Sequence, residues 1–156
     1  MVVNNMKILY IDLDGVIVDF ESGVKRLSKE DRLKYIGRYD EAPGIFKLMK
    51  PISGAINAVK QLSNRFDVFV LSTAPWDNPD AWSDKVKWVK KNFGNDVGDV
   101  LYKKLILTHH KDLCFGDILI DDRTKNGASE FRGELILFGS ERFPDWNAIL
   151  DYLDDQ

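Results

Sequence analysis

The chain has 156 residues, of which 44% are hydrophobic and 30% charged, with a formal net charge of −3. That length suits one ordinary domain with a real buried core, and the composition excludes disordered and fibrous classes. The mild acidity offers no footprint for a nucleic-acid polymer, and no apolar run approaches a membrane span.

Cys114 is the single cysteine, which excludes an internal disulfide and thiolate metal clusters. Its setting between Leu113 and Phe115 reads as a small buried hydrophobe. The N-terminus lacks a signal-peptide pattern, so the expected address is the cytoplasm, with no membrane or nucleic-acid partner.

The first strong element is the apolar run from Ile8 to Ile11, which stops at Asp12-Leu13-Asp14-Gly15. Strand alternation puts Asp12 and Asp14 on one side, at the carboxyl end of a buried strand, where open α/β sheets bind ligands. Two carboxylates this close repel unless a cation, a proton or a charged substrate separates them. Mg²⁺ held by carboxylates and substrate phosphate oxygens is the economical solution. The plainer reading is a strand-to-turn junction shaped by Asp and Gly.

From Phe20 to about Pro51 the texture changes. A charged, weakly amphipathic segment places Val24, Leu27, Leu33 and Ile36 on one face, and the turn-rich stretch from Gly37 to Gly44 breaks it. This insertion reads as a small helical cap over the strand end, or as a surface crossover. Gly54 to Asn64 then has helical spacing, with Ala55, Ile56, Val59 and Leu62 apolar.

A second buried strand, Asp67 to Leu71, closes in Ser72-Thr73-Ala74-Pro75. Small hydroxyls at a strand end suit a phosphate oxygen, although they are also ordinary turn residues. A helix from an Asp80 N-cap to Gly94 is predicted, with Trp82, Val86, Val89 and Phe93 as its buried stripe. Lys85 sits beside that stripe, unlike the lysines at 87, 90, 91, 103 and 104, which read as solvated surface.

Further strands are expected at Leu105 to Thr108, Asp117 to Ile120 and Leu135 to Phe138, and a C-terminal helix carries Trp146, Ile149, Leu150 and Leu153. The third ends at His109-His110 and the fourth at Asp121-Asp122-Arg123. Alternating strands and helices predict a doubly wound, mostly parallel α/β sheet covered on both faces. In such a sheet Asp12 and Asp14, Ser72 and Thr73, and Asp121 and Asp122 converge on one edge.

On these motifs the chain resembles haloacid dehalogenase (HAD) superfamily phosphatases, and among them the 5′(3′)-deoxyribonucleotidase family. The resemblance rests on Asp12-Leu13-Asp14-Gly15 with Val16 to Phe20 behind it, and on Val70 to Pro75. It rests also on Lys85 ahead of Trp88, Val89, Phe93 and Gly94, on Ile118 to Arg123, and on the segments Pro43 to Phe46 and Pro51 to Ala55. It implies a HAD-like, Rossmann-like core at 1–20 and 51–156, with a small cap inserted after the first strand at 21–50.

The resemblance further implies a Mg²⁺-dependent phosphomonoesterase acting on a small substrate, a nucleoside monophosphate in the first instance. Asp12 is the implied nucleophile of an aspartyl-phosphate mechanism and Asp14 the general acid and base; Thr at the latter position would favour an ATPase. Mg²⁺ falls to Asp12, the main-chain carbonyl of Asp14, and Asp122 with Asp121 in support, the choice within the pair staying open. Lys85 and Thr73 are the implied ligands of the non-bridging oxygens, with Ser72 the other hydroxyl candidate and Ala74 beside them.

Phe20 and Phe46 are the aromatic residues placed against a base. His109 is a candidate for the substrate rim or, with His110, an exposed loop pair; Trp76 either lines the pocket or is an ordinary tryptophan. The insertion is short for the family, which implies an open site that a partner subunit in a homodimer can cover. Two other readings stand beside this one: a HAD phosphatase for another metabolite such as a sugar phosphate, and a HAD-fold domain that binds without turnover.

Overall fold

The computed structural model describes residues 5–156, so the expectation about the extreme N-terminus falls partly outside the described residues. In chain order the elements are β1 (Ile8–Ile11), β2 (Val18–Asp19), α1 (Phe20–Val24), α2 (Lys29–Lys34), α3 (Ile45–Leu48), β3 (Lys50–Pro51), α4 (Ala55–Leu62) and β4 (Asp67–Ser72). They continue with α5 (Pro79–Phe93), β5 (Leu105–Leu107), β6 (Ile118–Asp121), β7 (Glu134–Leu137) and α6 (Trp146–Asp154). Short 3₁₀ turns occur at Tyr39–Glu41 and Lys111–Leu113.

The apolar runs build a parallel five-stranded sheet in the order β5-β4-β1-β6-β7. Strand alternation divides the core. Leu9, Ile11, Val68, Val70, Ile118 and Ile120 pack with Val59 of α4, Trp88 and Val89 of α5, and Ile149 and Leu153 of α6. Tyr10, Leu71 and Leu119 face the other way and pack with Ala128, Phe131 and Cys114 from the loops around β6. Both faces are therefore covered, one by helices and the other by loops. Among the described residues no helix is long and apolar enough to cross a membrane.

The insertion is rooted where the chain leaves and rejoins the core: β2 pairs antiparallel with β3, and the Ile52 amide donates to the Ile17 carbonyl at 2.8 Å. α1 starts at an Asp19 N-cap that accepts from the Ser22 amide at 3.2 Å. Val24 and Leu27 are buried as expected, but Leu33 and Ile36 are 64% and 66% exposed, because α2 packs no residue into the core. Inward anchoring comes from α3, where Ile45 and Phe46 are buried and the Trp88 indole donates to the Met49 carbonyl at 3.0 Å.

α5 also departs from expectation. It begins at Pro79 after Asn78, whose side-chain amide donates into the insertion at the Asp40 and Ala42 carbonyls. Its buried face is Ala81, Asp84, Lys85, Trp88, Val89 and Phe93, whereas Val86 is 36% exposed. The stripe has rotated toward the Lys85 side because the helix must meet the insertion as well as the sheet.

Trp146 ties the two ends of the chain together: it is buried and its indole N–H donates to the Val16 carbonyl at 2.9 Å. Trp146→Ala is expected to lower stability by about 3–5 kcal/mol, measured by urea denaturation. A loss under about 1 kcal/mol would contradict this role.

Candidate active site

The carboxyl ends of β1, β4 and β6 meet as the parallel register requires, and the residues just beyond them make a polar pit lined by Asp12, Asp14, Thr73, Lys111 and Asp121. Directly after β1 the chain folds back sharply, with the Ile17 and Val18 amides both donating to the Leu13 carbonyl at 2.9 Å. Gly15 makes this turn at φ +78°, and a Cβ there would stand 2.1 Å from an Asp122 carboxylate oxygen. Glycine is required twice over, by the left-handed backbone and by the close approach of that carboxylate.

Asp12, Asp121 and Asp122 each offer an oxygen within 4.8 Å of the others. Asp12 and Asp121 are buried, and one cation sits between them: Lys111 Nζ lies 2.6 Å from Asp121 Oδ2 and 3.1 Å from Asp12 Oδ1. Asp121 Oδ1 accepts from the Arg123 amide at 3.0 Å. Burial and then the neighbouring Asp12 charge push the Asp121 carboxyl up to about 7, and raise Asp122 as well. Burial pulls Lys111 downward, but Asp12 and Asp121 outweigh it and leave the ammonium raised.

The buried Oδ1 of Asp122 has no hydrogen-bond partner; Arg123 Nε stands 4.0 Å away, too far to bond it. Three clustered carboxylates and an orphaned oxygen among hard donors fit a divalent cation of the Mg²⁺ type.

Asp14 has a different partner. Lys85 Nζ, fully buried, donates to Asp14 Oδ2 at 2.5 Å, to the Thr73 carbonyl at 2.8 Å and to Ser72 Oγ at 3.1 Å, and stands 4.7 Å from the centre of the Phe46 ring. Burial, the largest influence, raises the Asp14 carboxyl even though Lys85 opposes it.

Above the pit opens a cavity of about 660 Å³, lined by Asp14, Phe20, Tyr39, Phe46, Thr73, Pro75, His109, Asp122 and Arg123 among others. Phe20 and Phe46 stand edge to face at 6.3 Å.

The structure thus brings Asp12, Asp14, Thr73, Asp121 and Asp122 together, and sets Phe20, Phe46 and His109 around the adjoining cavity. Ser72, Ala74 and Lys85 lie just behind these spaces. Their side chains are buried behind the wall and line neither space, because Ser72 ends β4 facing Lys85 while Thr73 turns outward. Sequence reasoning missed Lys111. It lies in a 3₁₀ turn after His109-His110, a place that no helical or strand periodicity marks; its spacing of ten residues ahead of Asp121 was the available signal. Arg123, Lys125 and Asn126 also border the pit and were not singled out.

Residues 21–145 match the family model described as 5′ nucleotidase, deoxy (Pyrimidine), cytosolic type C protein. A Vibrio phage KVP40 protein provisionally described as a 5′(3′)-deoxyribonucleotidase is 55% identical over 149 residues, covering 96% of this chain and 85% of the relative. The human 5′(3′)-deoxyribonucleotidase of cytosolic type is 27% identical over 169 residues, covering 90% and 77%. Among solved structures, the HAD hydrolase YfnB of Bacillus subtilis, bound to magnesium, superposes with a TM-score of 0.67 at 10% identity over 97% of this chain and all of its own. Sequence kinship, a shared fold and a strand-end carboxylate site agree: the chain belongs to the 5′(3′)-deoxyribonucleotidase family of HAD-superfamily phosphatases.

Proposed function

We propose that this chain is a Mg²⁺-dependent hydrolase of deoxynucleoside monophosphates that works through an aspartyl-phosphate on Asp12. The observation that carries the reading is the clustering of Asp12, Asp121 and Asp122, with the orphaned Asp122 oxygen, beside a Lys85-bound Asp14. The relatives' described substrates supply the nucleotide class.

Asp12 and Asp122, supported by Asp121 and by the main-chain carbonyl of Asp14, would hold the metal. Bound there, Mg²⁺ supplies charge neutralisation for the phosphate dianion and the approaching carboxylate. Lys111 keeps the Asp12 carboxylate oriented, since its ammonium faces Oδ1 at 3.1 Å. An Asp12 oxygen forms a bond to phosphorus while the ester P–O bond breaks, and the leaving alkoxide takes the proton of Asp14, whose burial favours carrying one. Water then attacks the phosphorus, gives its proton to Asp14, and restores the Asp12 carboxylate as inorganic phosphate departs.

Lys85 acts on Asp14 from behind, fixing its carboxylate with three hydrogen bonds of its own. Thr73 would meet a non-bridging oxygen by turning its single hydroxyl proton away from the Thr108 carbonyl, to which it donates at 2.8 Å. Residues 21–50 serve as a cap that supplies Phe46 and Tyr39 to the base end of the cavity.

Asp12→Asn removes the nucleophile without changing shape, so phosphate release should fall by roughly 10³-fold or more with the circular-dichroism spectrum retained. Hydrolysis near the wild-type rate would refute the mechanism.

The carboxylate cluster also sets a pH dependence. Asp121 binds its proton up to about pH 7 in the fold, against 3.8 ordinarily, so the native state holds more protons than the unfolded chain between those values. Stability of the metal-free protein should therefore fall as pH rises through that window. Because a cation binds the ionised carboxylates, added Mg²⁺ should raise the melting temperature more at pH 8 than at pH 5. An equal Mg²⁺ effect at both values would contradict the site.

A further inference from the structure

We propose that the groove between α5 and the edge strand β5 is a second ligand site, which takes an alkyl carboxylate with its tail on the apolar floor and its head at Lys90 and Lys103. The inference stands apart from the nucleotidase reading, because no residue of this groove belongs to the acid cluster or its cavity.

β5 is the last strand on its side of the sheet, so no further strand covers it. Alternation sends Ile106 to the loop-covered face and Leu105 and Leu107 to the α5 face, where both stay only half-buried. The helix meets them with Val86, Val89 and Lys90, which lie about one turn apart on one side. Leu101 and Tyr102 also line the groove, and the space left is about 540 Å³, the size of a small-molecule site. Val86, which the helix leaves 36% exposed, therefore belongs to an apolar wall with no partner of its own.

Charge decides the occupant. Three lysines line the groove and no carboxylate does, in a chain whose net charge is −3. Lys104 is already engaged, with its Nζ 2.6 Å from Asp67 Oδ1. Among the described residues Lys90 and Lys103 have no salt-bridge partner. Lys103 is held at a left-handed φ of +57°, uncommon for a lysine, by the turn in which the Lys104 amide donates to the Leu101 carbonyl at 3.1 Å. Its ammonium stands 5.3 Å from the centre of the Tyr102 ring, which keeps the charge at the groove. The apolar lining is aliphatic except for Tyr102, which suits an alkyl tail better than a flat ring. A second copy of the chain fits poorly, since two-fold pairing would bring two sets of lysines together.

Isothermal titration of the full chain with decanoate tests this. Decyltrimethylammonium, which keeps the tail and reverses the charge, and acetate, which keeps only the head, serve as companion probes. Decanoate should bind one molecule per chain, and neither companion should bind. The double variant Lys90→Glu with Lys103→Glu should weaken decanoate binding by about 10-fold or more while the melting temperature is retained. Val86→Trp, which fills the groove, should abolish binding. Absence of decanoate binding, equal binding of the cationic probe, or decanoate binding that neither variant weakens would each overturn the site.

Discussion

One ammonium group stands at the centre of the candidate site. Lys111 stands between Asp12 and Asp121 in a space from which water is largely removed. Three neighbouring carboxylates in that setting carry a severe desolvation and repulsion penalty, and one lysine offsets only part of it. The rise of Asp121 and Asp122 above the ordinary carboxylate range is the physical trace of the remainder. A divalent cation would complete the balance, and the sheet supplies the geometry, because strand ends at β1 and β6 deliver all three acids to one point.

The second constraint links this centre to the insertion. Lys85 is buried at the junction of α5, the end of β4 and the Phe46 ring, and it fixes Asp14. The insertion is bolted to the same helix through the Trp88–Met49 and Asn78–Asp40 hydrogen bonds. The residue proposed to move the proton and the aromatic face proposed to meet the substrate are thus positioned by one helix. That also explains why the buried stripe of α5 includes a lysine and an aspartate where amphipathic periodicity alone predicts apolar side chains.

Much of this was legible in the sequence for identifiable reasons. Apolar runs ending in Asp12-Leu13-Asp14 and Asp121-Asp122 mark strand ends whatever lies between them, so the sheet and its acidic edge could be read directly. Lys85 was rightly separated from the surface lysines, but its bond to Asp14 was not readable, because it depends on packing against Ser72 and Phe46 that no local pattern marks. Lys111 was missed because a 3₁₀ turn has no periodic signature, which left only its spacing ahead of Asp121 to mark it. Leu33 and Ile36 misled because an apolar spacing on a short helix implies burial only if something covers it.

The central claim is that the acid cluster and its adjoining cavity hydrolyse deoxynucleoside monophosphates with the help of Mg²⁺. Phosphate release from dUMP, dTMP, glycerol phosphate and sugar phosphates, each with Mg²⁺ and with excess chelator, tests it most directly. The account predicts metal-dependent release concentrated on the deoxynucleotides. Release that persists in chelator, or that favours the sugar phosphates, would contradict it.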